Sequence, residues 1–255
     1  MTPRPAAVLV IAASDSSGGA GLTRDVQVLS DLCVDALCVV TAVTAQSDRQ
    51  VTAVHHVPPA IVRAQLTAAL ATRQPGAIKI GMLGTRATVE AVAEALPTSA
   101  VPIVVDPVLV SSSGGVLLDD EGRRALIRLL LPRATVVTPN VPEAAALLGE
   151  PLARDEAGLL RQGQRLLECG SQAILLKGGH SAGAEAVDLL ISAAGVRRIT
   201  SKRVSGSSRG TGCALASGIA AGLAKGQSLA EACQAAKTYV LGMLEPGQTP
   251  PVTFG

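Results

Sequence analysis

The residues best suited to chemistry form a short segment late in the chain, GTGC at residues 210–213, which separates a polar loop from a long apolar helix pattern. Glycines at the start of a helix let an anion approach backbone N–H groups that have no partner within the helix, and the helix dipole adds positive potential there. The same field predicts that the pKa of the Cys213 thiol falls below about 8.5. An anion site beside a base is what phosphoryl transfer to a hydroxyl requires. Taken alone, the segment also fits a glycine-rich connector in which Cys213 is a small buried apolar residue.

Polar side chains also follow several short apolar runs. Asp15 lies in a glycine-rich loop after the run at residues 7–12, and this loop matches neither a Walker phosphate loop nor the dinucleotide fingerprint. Asp106 follows the run at residues 101–105, a recurrent position for a catalytic or metal-binding carboxylate and also for a residue that caps a loop or helix. Lys177 ends another run before two glycines, where its mobile charge can reach a phosphate.

Asn140 and Glu143 come directly after a further predicted strand, and their types allow two interpretations. Asn140 is well placed to cap the helix that Pro142 and Glu143 begin. Alternatively, both side chains face the cleft and organise a magnesium ion through water, because magnesium keeps several waters and uses few protein carboxylates. The sequence leaves both interpretations open.

The elements that must position these residues alternate along the chain. Short continuous apolar runs fit strands that are buried on both faces, and open sheets of such strands bind ligands at their carboxyl edge. Lys79, inside one apolar run, needs a partner or a path to water, and the polar insertion at residues 45–50 is a candidate flap. The pattern predicts an α/β/α sandwich with a mostly parallel sheet of about eight or nine strands. The predicted strands are residues 7–12, 36–43, 51–57, 77–80, 101–105, 134–137, 173–176, 186–191 and 196–204, the last two as a hairpin.

Composition limits the class of protein. The 255 residues are 48% hydrophobic but include one Phe, one Tyr and no Trp, so Ala, Val and Leu must fill the core and a base-stacking platform for nucleic acid is disfavoured. The net charge of +2 without a basic stripe also argues against a nucleic-acid partner. Five cysteines without a CxxC pair indicate neither a disulfide framework nor a zinc site and fit a reducing cytoplasm. The apolar run near the N-terminus is too short to span a membrane, so we expect no membrane partner.

Seven short strings occur in order along the chain: SDSSGGAG at residues 14–21, TAVTAQ at 41–46, KIGML at 79–83, VVDPV at 104–108, VVTPNVPEA at 136–144, LLKGGH at 175–180 and GTGC at 210–213. Together they resemble the hydroxymethylpyrimidine/phosphomethylpyrimidine kinase family of thiamine biosynthesis, a branch of the ribokinase-like superfamily. One such string would be weak evidence, whereas seven in order over nearly the whole chain are specific. The resemblance implies one ribokinase-like kinase domain over residues 1–255.

The resemblance implies a pocket for a pyrimidine ring near the ends of the first strands. In that pocket, Gln46 would hydrogen-bond the edge of the ring and Met82 would form part of the wall. Asp15 and Gly19 would line the same pocket. These roles come from matching positions of the motifs and not from the spacing of the residues.

The resemblance also implies a site for ATP and Mg²⁺ near the ends of the later strands. Backbone N–H groups of Gly210, Thr211 and Gly212 would form an anion hole, and Cys213 holds the position where many superfamily members carry an aspartate base. Phosphoryl transfer depends largely on positioning and charge stabilisation, which a magnesium ion, a lysine and such a cluster of amides supply. The other implied residues of this region are Asp106, Asn140, Glu143, Lys177 and Arg209, with Asp106 and Glu143 as the metal ligands.

Two residues depart from the family's pattern. Ala13 stands where glycine usually precedes the SDSSGGAG string, and its methyl group narrows the approach of a substrate to the backbone. Arg209 stands where histidine usually precedes GTGC. Because arginine is permanently charged, it can pair with a phosphate oxygen, which raises the hypothesis that it favours an already phosphorylated substrate.

The leading hypothesis is therefore an ATP- and Mg²⁺-dependent kinase of 4-amino-5-hydroxymethyl-2-methylpyrimidine and of its monophosphate. A pyridoxine/pyridoxal kinase is the first alternative, because that ring is of similar size and carries the same hydroxymethyl group. A non-catalytic pyrimidine-binding regulatory protein is the second, against which the presence of Asp106, Lys177 and Cys213 argues. The resemblance further suggests a homodimer, and we expect it in the cytoplasm.

Overall fold

Strands and helices alternate in the computed structural model, which describes residues 4–98, 100–111, 114–178, 185–204 and 209–245. The predicted elements agree with the described ones apart from shifts of a few residues at their ends. Residues 179–180 and 205–208, from the predicted glycine-rich loops, lie outside the described residues. The strands are β1 (Ala7–Asp15), β2 (Asp35–Gln46), β3 (Val51–His56), β4 (Ala77–Ile80), β5 (Ile103–Val105), β6 (Val136–Val137), β7 (Ala173–Lys177), β8 (Glu185–Ser192) and β9 (Gly195–Lys202). The helices are α1 (Gly21–Asp31), α2 (Pro59–Thr72), α3 (Arg86–Ala95), α4 (Asp120–Leu129), α5 (Val141–Leu148), α6 (Glu156–Leu167), α7 (Thr211–Ala224) and α8 (Leu229–Leu244), with a 3-10 turn at Leu131–Arg133.

All nine described strands join one sheet in the order β3-β2-β1-β4-β5-β6-β7-β8-β9. The six strands from β2 to β7 in this order run parallel, while β3 on one edge and β8 and β9 on the other pair antiparallel. The predicted mostly parallel sheet and the predicted β8–β9 hairpin are therefore confirmed. Because all six parallel strands end at the same edge, the residues that follow them lie side by side.

Successive side chains of a strand point to opposite faces of a sheet, and β1 shows how this builds three layers. Leu9 and Ile11 pack into a core with side chains of α2 to α6, whereas Val8 and Val10 pack into a second core with α1, α7 and α8. The second core contains mostly alanine, valine and leucine, as the near absence of aromatic residues requires. The predicted α/β/α sandwich is confirmed.

A buried ion pair ties the second helix layer to the sheet. Lys79 on β4 is fully buried, and its Nζ lies 2.7 Å from Oδ2 of Asp25 on α1. Ser217 on α7 donates a hydrogen bond of 2.8 Å to the other oxygen of Asp25. Burial by itself would lower the pKa of Lys79, but the negative charge of Asp25 raises it above its ordinary value. Lys79 thus has the partner that its position required, and it stays charged.

Five of the eight described α-helices begin with a side-chain cap, whereas α1, α2 and α7 do not, and α2 begins with proline. Thr85, Asp119, Asn140, Asp155 and Ser228 cap α3, α4, α5, α6 and α8 by accepting hydrogen bonds from first-turn N–H groups. In the described part of the chain, no side-chain cap is bonded at the N-terminus of α1 or α7. The first N–H of α1, that of Gly21, bonds the sulfur of Cys213, whereas the start of α7 offers its N–H groups to a ligand. None of the helices described here is both long and apolar enough to cross a membrane.

We expect Lys79→Met to lower the free energy of unfolding by about 3–5 kcal/mol, because it leaves the carboxylate of Asp25 buried without its countercharge. Adding Asp25→Asn should restore most of the loss, since the amide is neutral and still accepts from Ser217. Urea denaturation followed by circular dichroism measures both. The control is Arg86→Met, which breaks an exposed pair with Glu90 and should change the free energy of unfolding little. Equal losses in Lys79→Met and Arg86→Met would contradict the role of the buried pair.

Candidate active site

A cavity of about 460 Å³ opens at the carboxyl edge of the six parallel strands. It lies where the strand order changes direction beside β1, the position at which open α/β sheets bind ligands. Gly19 is not part of its wall, but its carbonyl oxygen abuts Gly210. The predicted site residues that line the cavity are Asp15, Gln46, Met82, Asp106, Asn140, Glu143, Lys177, Arg209, Gly210, Thr211, Gly212 and Cys213.

The N-terminus of α7 forms one wall of the cavity. Gly210 precedes the helix with φ of 76°, and a Cβ at this position would lie 2.2 Å from the carbonyl oxygen of Gly19, so only glycine fits. Gly212 lets a cation come close, because a Cβ there would be 3.3 Å from Nζ of Lys177. The uncapped N–H groups of Thr211 and Gly212 and the lysine therefore lie together, as an anion-binding site requires.

Lys177 is held between two carboxylates at the end of β7. Its Nζ donates to Oδ1 of Asp106 at 3.1 Å and lies 3.8 Å from Oε2 of Glu143. Thr138 donates a second hydrogen bond to the same oxygen of Asp106, at 3.2 Å. Burial opposes the charge on Lys177, but Asp106 and then Glu143 raise its pKa above the ordinary value. The side chain of Lys177 is thus a cation at neutral pH.

The backbone after Lys177 is fixed by a second buried ion pair, which the sequence reasoning missed. Oδ1 of Asp188 on β8 accepts a hydrogen bond of 3.0 Å from the N–H of Gly178, and its Oδ2 lies 2.6 Å from Nζ of Lys237 on α8. Both side chains are buried. Asp188 is also the cross-strand neighbour of Lys177. The sequence does hold a signal for this pair. Asp188 is an acidic residue inside an apolar strand, and such a residue needs a buried partner.

Asn140 and Glu143 form a capping box at the start of α5. Oδ1 of Asn140 accepts from the N–H of Glu143, and Oε2 of Glu143 accepts from the N–H of Asn140, both at 2.8 Å. The capping interpretation is confirmed. Since both residues also line the cavity, the cap does not remove them from the site.

Asp106 and Glu143 are the residues that fit a magnesium ion. Burial raises the pKa of Glu143 to about 7. The charge of Lys177 lowers this pKa, whereas the charge of Asp106 raises it. This buried carboxylate beside another carboxylate favours a bound cation. No group of three or more His, Cys, Asp and Glu side chains within the described ranges is arranged to hold a metal by itself. Two carboxylates with water and phosphate oxygens suit Mg²⁺, which rarely uses an all-protein cage.

The predicted low pKa of Cys213 is wrong. Burial raises the pKa of its thiol to about 11, although the nearby charge of Lys79 and a hydrogen bond from the N–H of Gly21 both lower it. Asp25 and Asp106 raise it further. Cys213 lines the cavity and keeps some exposure, but the protein atoms packed around its sulfur outweigh the helix N-terminus. The thiol is therefore protonated at neutral pH.

The other end of the cavity has an apolar wall and a polar edge. Ala13, Ala42 and Met82 pack together, so the methyl group of Ala13 adds to the apolar surface beside Met82. Oε1 of Gln46 accepts from Oγ1 of Thr44 at 3.2 Å, and both residues line the cavity. The combination suits a small heteroaromatic ring with polar atoms on its edge.

Arg209 is paired with protein groups at this end of the cavity. Its Nη2 lies 3.0 Å from Oδ2 of Asp15 and its Nη1 lies 3.0 Å from Oδ1 of Asp48. Asp15 is held in addition by the N–H and hydroxyl of Ser17. The sequence assigned Arg209 to a phosphate and Asp15 to the ring pocket, but it gave no indication that the two side chains meet.

Comparisons with known proteins agree with this arrangement. A family profile described as phosphomethylpyrimidine kinase matches residues 15–252. A hydroxymethylpyrimidine/phosphomethylpyrimidine kinase of Rhizobium meliloti is 46% identical over 236 residues, which are 92% of this chain and 89% of that protein.

Solved structures of two kinases have the same fold as this chain. The phosphomethylpyrimidine kinase of Clostridium difficile has a TM-score of 0.81 and 34% identity, and the match covers 94% of this chain and 100% of that chain. The pyridoxal kinase of Staphylococcus aureus in complex with AMP-PCP and pyridoxal has a TM-score of 0.86 and 31% identity, covering 96% of this chain and 90% of that chain. The ribokinase-like fold implied by the motifs is confirmed, and the chain is a kinase that belongs to the phosphomethylpyrimidine kinase family.

Proposed function

We propose that this kinase transfers the γ-phosphoryl group of ATP first to the hydroxyl group of 4-amino-5-hydroxymethyl-2-methylpyrimidine and then to the phosphate of the resulting monophosphate, as part of thiamine biosynthesis. The observation that carries the proposal is the meeting of the uncapped α7 N-terminus, Lys177 and Cys213 in one cavity. The family match gives the acceptor class, and the AMP-PCP in a similar kinase supports ATP as the donor.

The residues of the α7 wall and β7 act on the transferring group. The N–H groups of Gly210, Thr211 and Gly212 hold its oxygens, and Lys177 adds a positive charge on the same side. Because these groups are already in place, they stabilise the charge of the transition state without reorganising. Asp106 and Glu143 would hold Mg²⁺, which when bound neutralises part of the charge of the phosphates.

Cys213 takes the proton of the acceptor in this proposal. As the oxygen of the alcohol forms its bond to the γ-phosphorus, the bond from that phosphorus to the β–γ bridging oxygen breaks, ADP leaves, and the proton of the alcohol passes to Cys213 in its thiolate form. The phosphate of the monophosphate is already ionised and has no proton to transfer at neutral pH. A thiol with a pKa of about 11 supplies little thiolate at neutral pH. Below pH 11 the thiolate fraction therefore increases about tenfold for each unit by which the pH rises, which makes the step dependent on pH.

The acceptor ring occupies the other end of the cavity. Gln46 hydrogen-bonds the edge of the ring, Met82 forms the wall, and Asp15 completes the pocket. Gly19, which was predicted to line it, lies outside the wall of the cavity. The pyridoxal in the similar Staphylococcus aureus kinase makes pyridoxal the alternative acceptor to test. A homodimer, a cytoplasmic location and a single domain over residues 1–255 stay predictions.

A panel of acceptors tests the function. With ATP and Mg²⁺, we expect turnover of the pyrimidine alcohol and of its monophosphate, with the diphosphate as the final product, and slower turnover of pyridoxal. Coupled detection of ADP gives the rates, and ³¹P NMR identifies the products. Turnover of neither pyrimidine would contradict the proposal, and faster turnover of pyridoxal would replace it with the alternative.

Variants of Cys213 test the base. Cys213→Ala should lower kcat about a hundredfold, because it removes the group that accepts the proton. In the unmodified enzyme kcat/KM should increase from pH 7 to pH 9, since the raised pKa leaves the thiol protonated at the lower pH. Cys213→Asp should flatten this profile, because a carboxylate is already ionised there. The control is Cys233→Ala, at a buried thiol of α8 whose pKa is also raised, to about 12. An unchanged rate in Cys213→Ala would leave the base without support.

Variants of Lys177 test the phosphate contact. Lys177→Met should lower kcat/KM for ATP about ten- to hundredfold, because a hydrogen bond between charged groups is lost. Lys177→Arg, which keeps the charge, should lose less. Lys202→Met at the exposed end of β9 is the matched control. Melting temperatures must accompany the kinetics, since Asp106 also loses its partner. A Lys177→Met variant with an unchanged kcat/KM for ATP would contradict the assignment.

A further inference from the structure

One guanidinium group, that of the cavity residue Arg209, joins three loops. Arg209, just before α7, bonds Oδ2 of Asp15 in the β1–α1 loop through Nη2 at 3.0 Å. Its Nη1 donates to Oγ of Ser17 at 2.9 Å and reaches the tip of the β2–β3 hairpin at the carbonyl oxygen of Ser47 (2.9 Å) and Oδ1 of Asp48 (3.0 Å). The side chain of Arg209 is only 16% exposed.

The two carboxylates on Arg209 differ in how firmly they are held. The side chain of Asp15 is 4% exposed, and its other oxygen accepts from the N–H and the hydroxyl of Ser17 at 2.9 and 2.8 Å. The side chain of Asp48 is 87% exposed at the tip of a hairpin. Because an ion pair with an exposed partner contributes little, another anion can displace Asp48 easily, whereas displacing Asp15 would leave a buried charge without its partner.

Arg209 also differs from the other cations that line the described cavity wall. Lys79 is fully buried against Asp25, and Lys177 lies between Asp106 and Glu143. An acceptor that already carries a phosphate brings a second anionic group into the cavity, in addition to the phosphates of the donor. Arg209 is the described lining cation with an exposed partner that another anion can replace, and a guanidinium group is well suited to phosphate oxygens.

We propose that Arg209 binds the phosphate of a phosphorylated acceptor, and that this phosphate takes the place of the Asp48 carboxylate. Arg209 is then the residue that determines the preference for the monophosphate over the free alcohol. Asp48 holds the hairpin tip on Arg209 until the phosphate arrives, and Asp15 keeps the guanidinium in position throughout. The inference rests on the proposed function, since it names a residue that selects between the two acceptors of that function.

Binding measurements without ATP test the inference independently of turnover. Isothermal titration calorimetry with the pyrimidine alcohol and with its monophosphate gives two dissociation constants for each variant, and their ratio is the readout. Arg209→Gln should weaken binding of the monophosphate about ten- to hundredfold more than binding of the alcohol. Arg209→Lys should recover part of the loss.

The reciprocal variant is Asp48→Asn, whose exposed position leaves folding intact. It should tighten binding of the monophosphate about two- to fivefold and leave the alcohol unchanged, because the competing charge is gone. The matched control is Asp35→Asn at the opposite end of β2, where the carboxylate pairs with Arg73 at 2.6 Å, far from the cavity; it should change neither constant.

The outcomes separate this inference from the proposed function. Equal losses for both ligands in Arg209→Gln, or unchanged or weaker binding of the monophosphate in Asp48→Asn, would overturn the role of Arg209 and leave the kinase function in place. A different outcome is that the unmodified enzyme binds both pyrimidines but phosphorylates neither, while Arg209→Gln selectively loses binding of the monophosphate. That outcome would support the inference and overturn the proposed function.

Discussion

The buried contact between Lys79, Asp25 and Ser217 fixes the part of the molecule on which the site depends. A charge that is fully removed from water must keep its partner, so α1 and α7 can dock on the sheet only where Asp25 reaches Lys79 and Ser217 reaches Asp25. Asp25 lies one turn after Gly21, and Ser217 lies one turn after Cys213. The same contact therefore brings the N-termini of α1 and α7 together, where the N–H of Gly21 meets the sulfur of Cys213.

Each cation at the cavity has an acidic partner before any anion is bound. Lys79 pairs with Asp25, Lys177 with Asp106, and Arg209 with Asp15. The pairs differ in burial and in the number of additional hydrogen bonds, and these differences decide which cation can change partner. Lys79 is fully buried and cannot leave Asp25. Lys177 lies beside the N-terminus of α7, and Arg209 pairs also with the exposed Asp48. A site of this kind is organised in advance for anions, which is the condition under which fixed dipoles and charges lower a barrier most.

Much of this arrangement could be predicted from the sequence. The alternation of apolar strands and amphipathic helices specified the sandwich, because a parallel sheet that is covered on both faces needs continuous apolar runs. The polar residues that follow those runs, among them Asp106, Asn140 and Lys177, were correctly expected at one edge, since parallel strands end there together. The prediction of a low pKa for Cys213 was wrong for a physical reason. A helix N-terminus is visible in the sequence, whereas the burial of the Cys213 thiol depends on the elements that pack against α7, among them α1, β4 and β5.

The sequence by itself determined the fold class, the family and, apart from Gly19, which predicted site residues lie at the cavity, because the alternation of strands and helices and the loop chemistry follow from local patterns and ordered motifs. The tertiary structure alone decided the partners. Arg209 meets Asp15 and Asp48 from opposite parts of the chain, and Asp188 meets Gly178 and Lys237 across two elements. Pairing between distant charges depends on distances of a few ångströms, and only the packing of whole layers sets distances of that size.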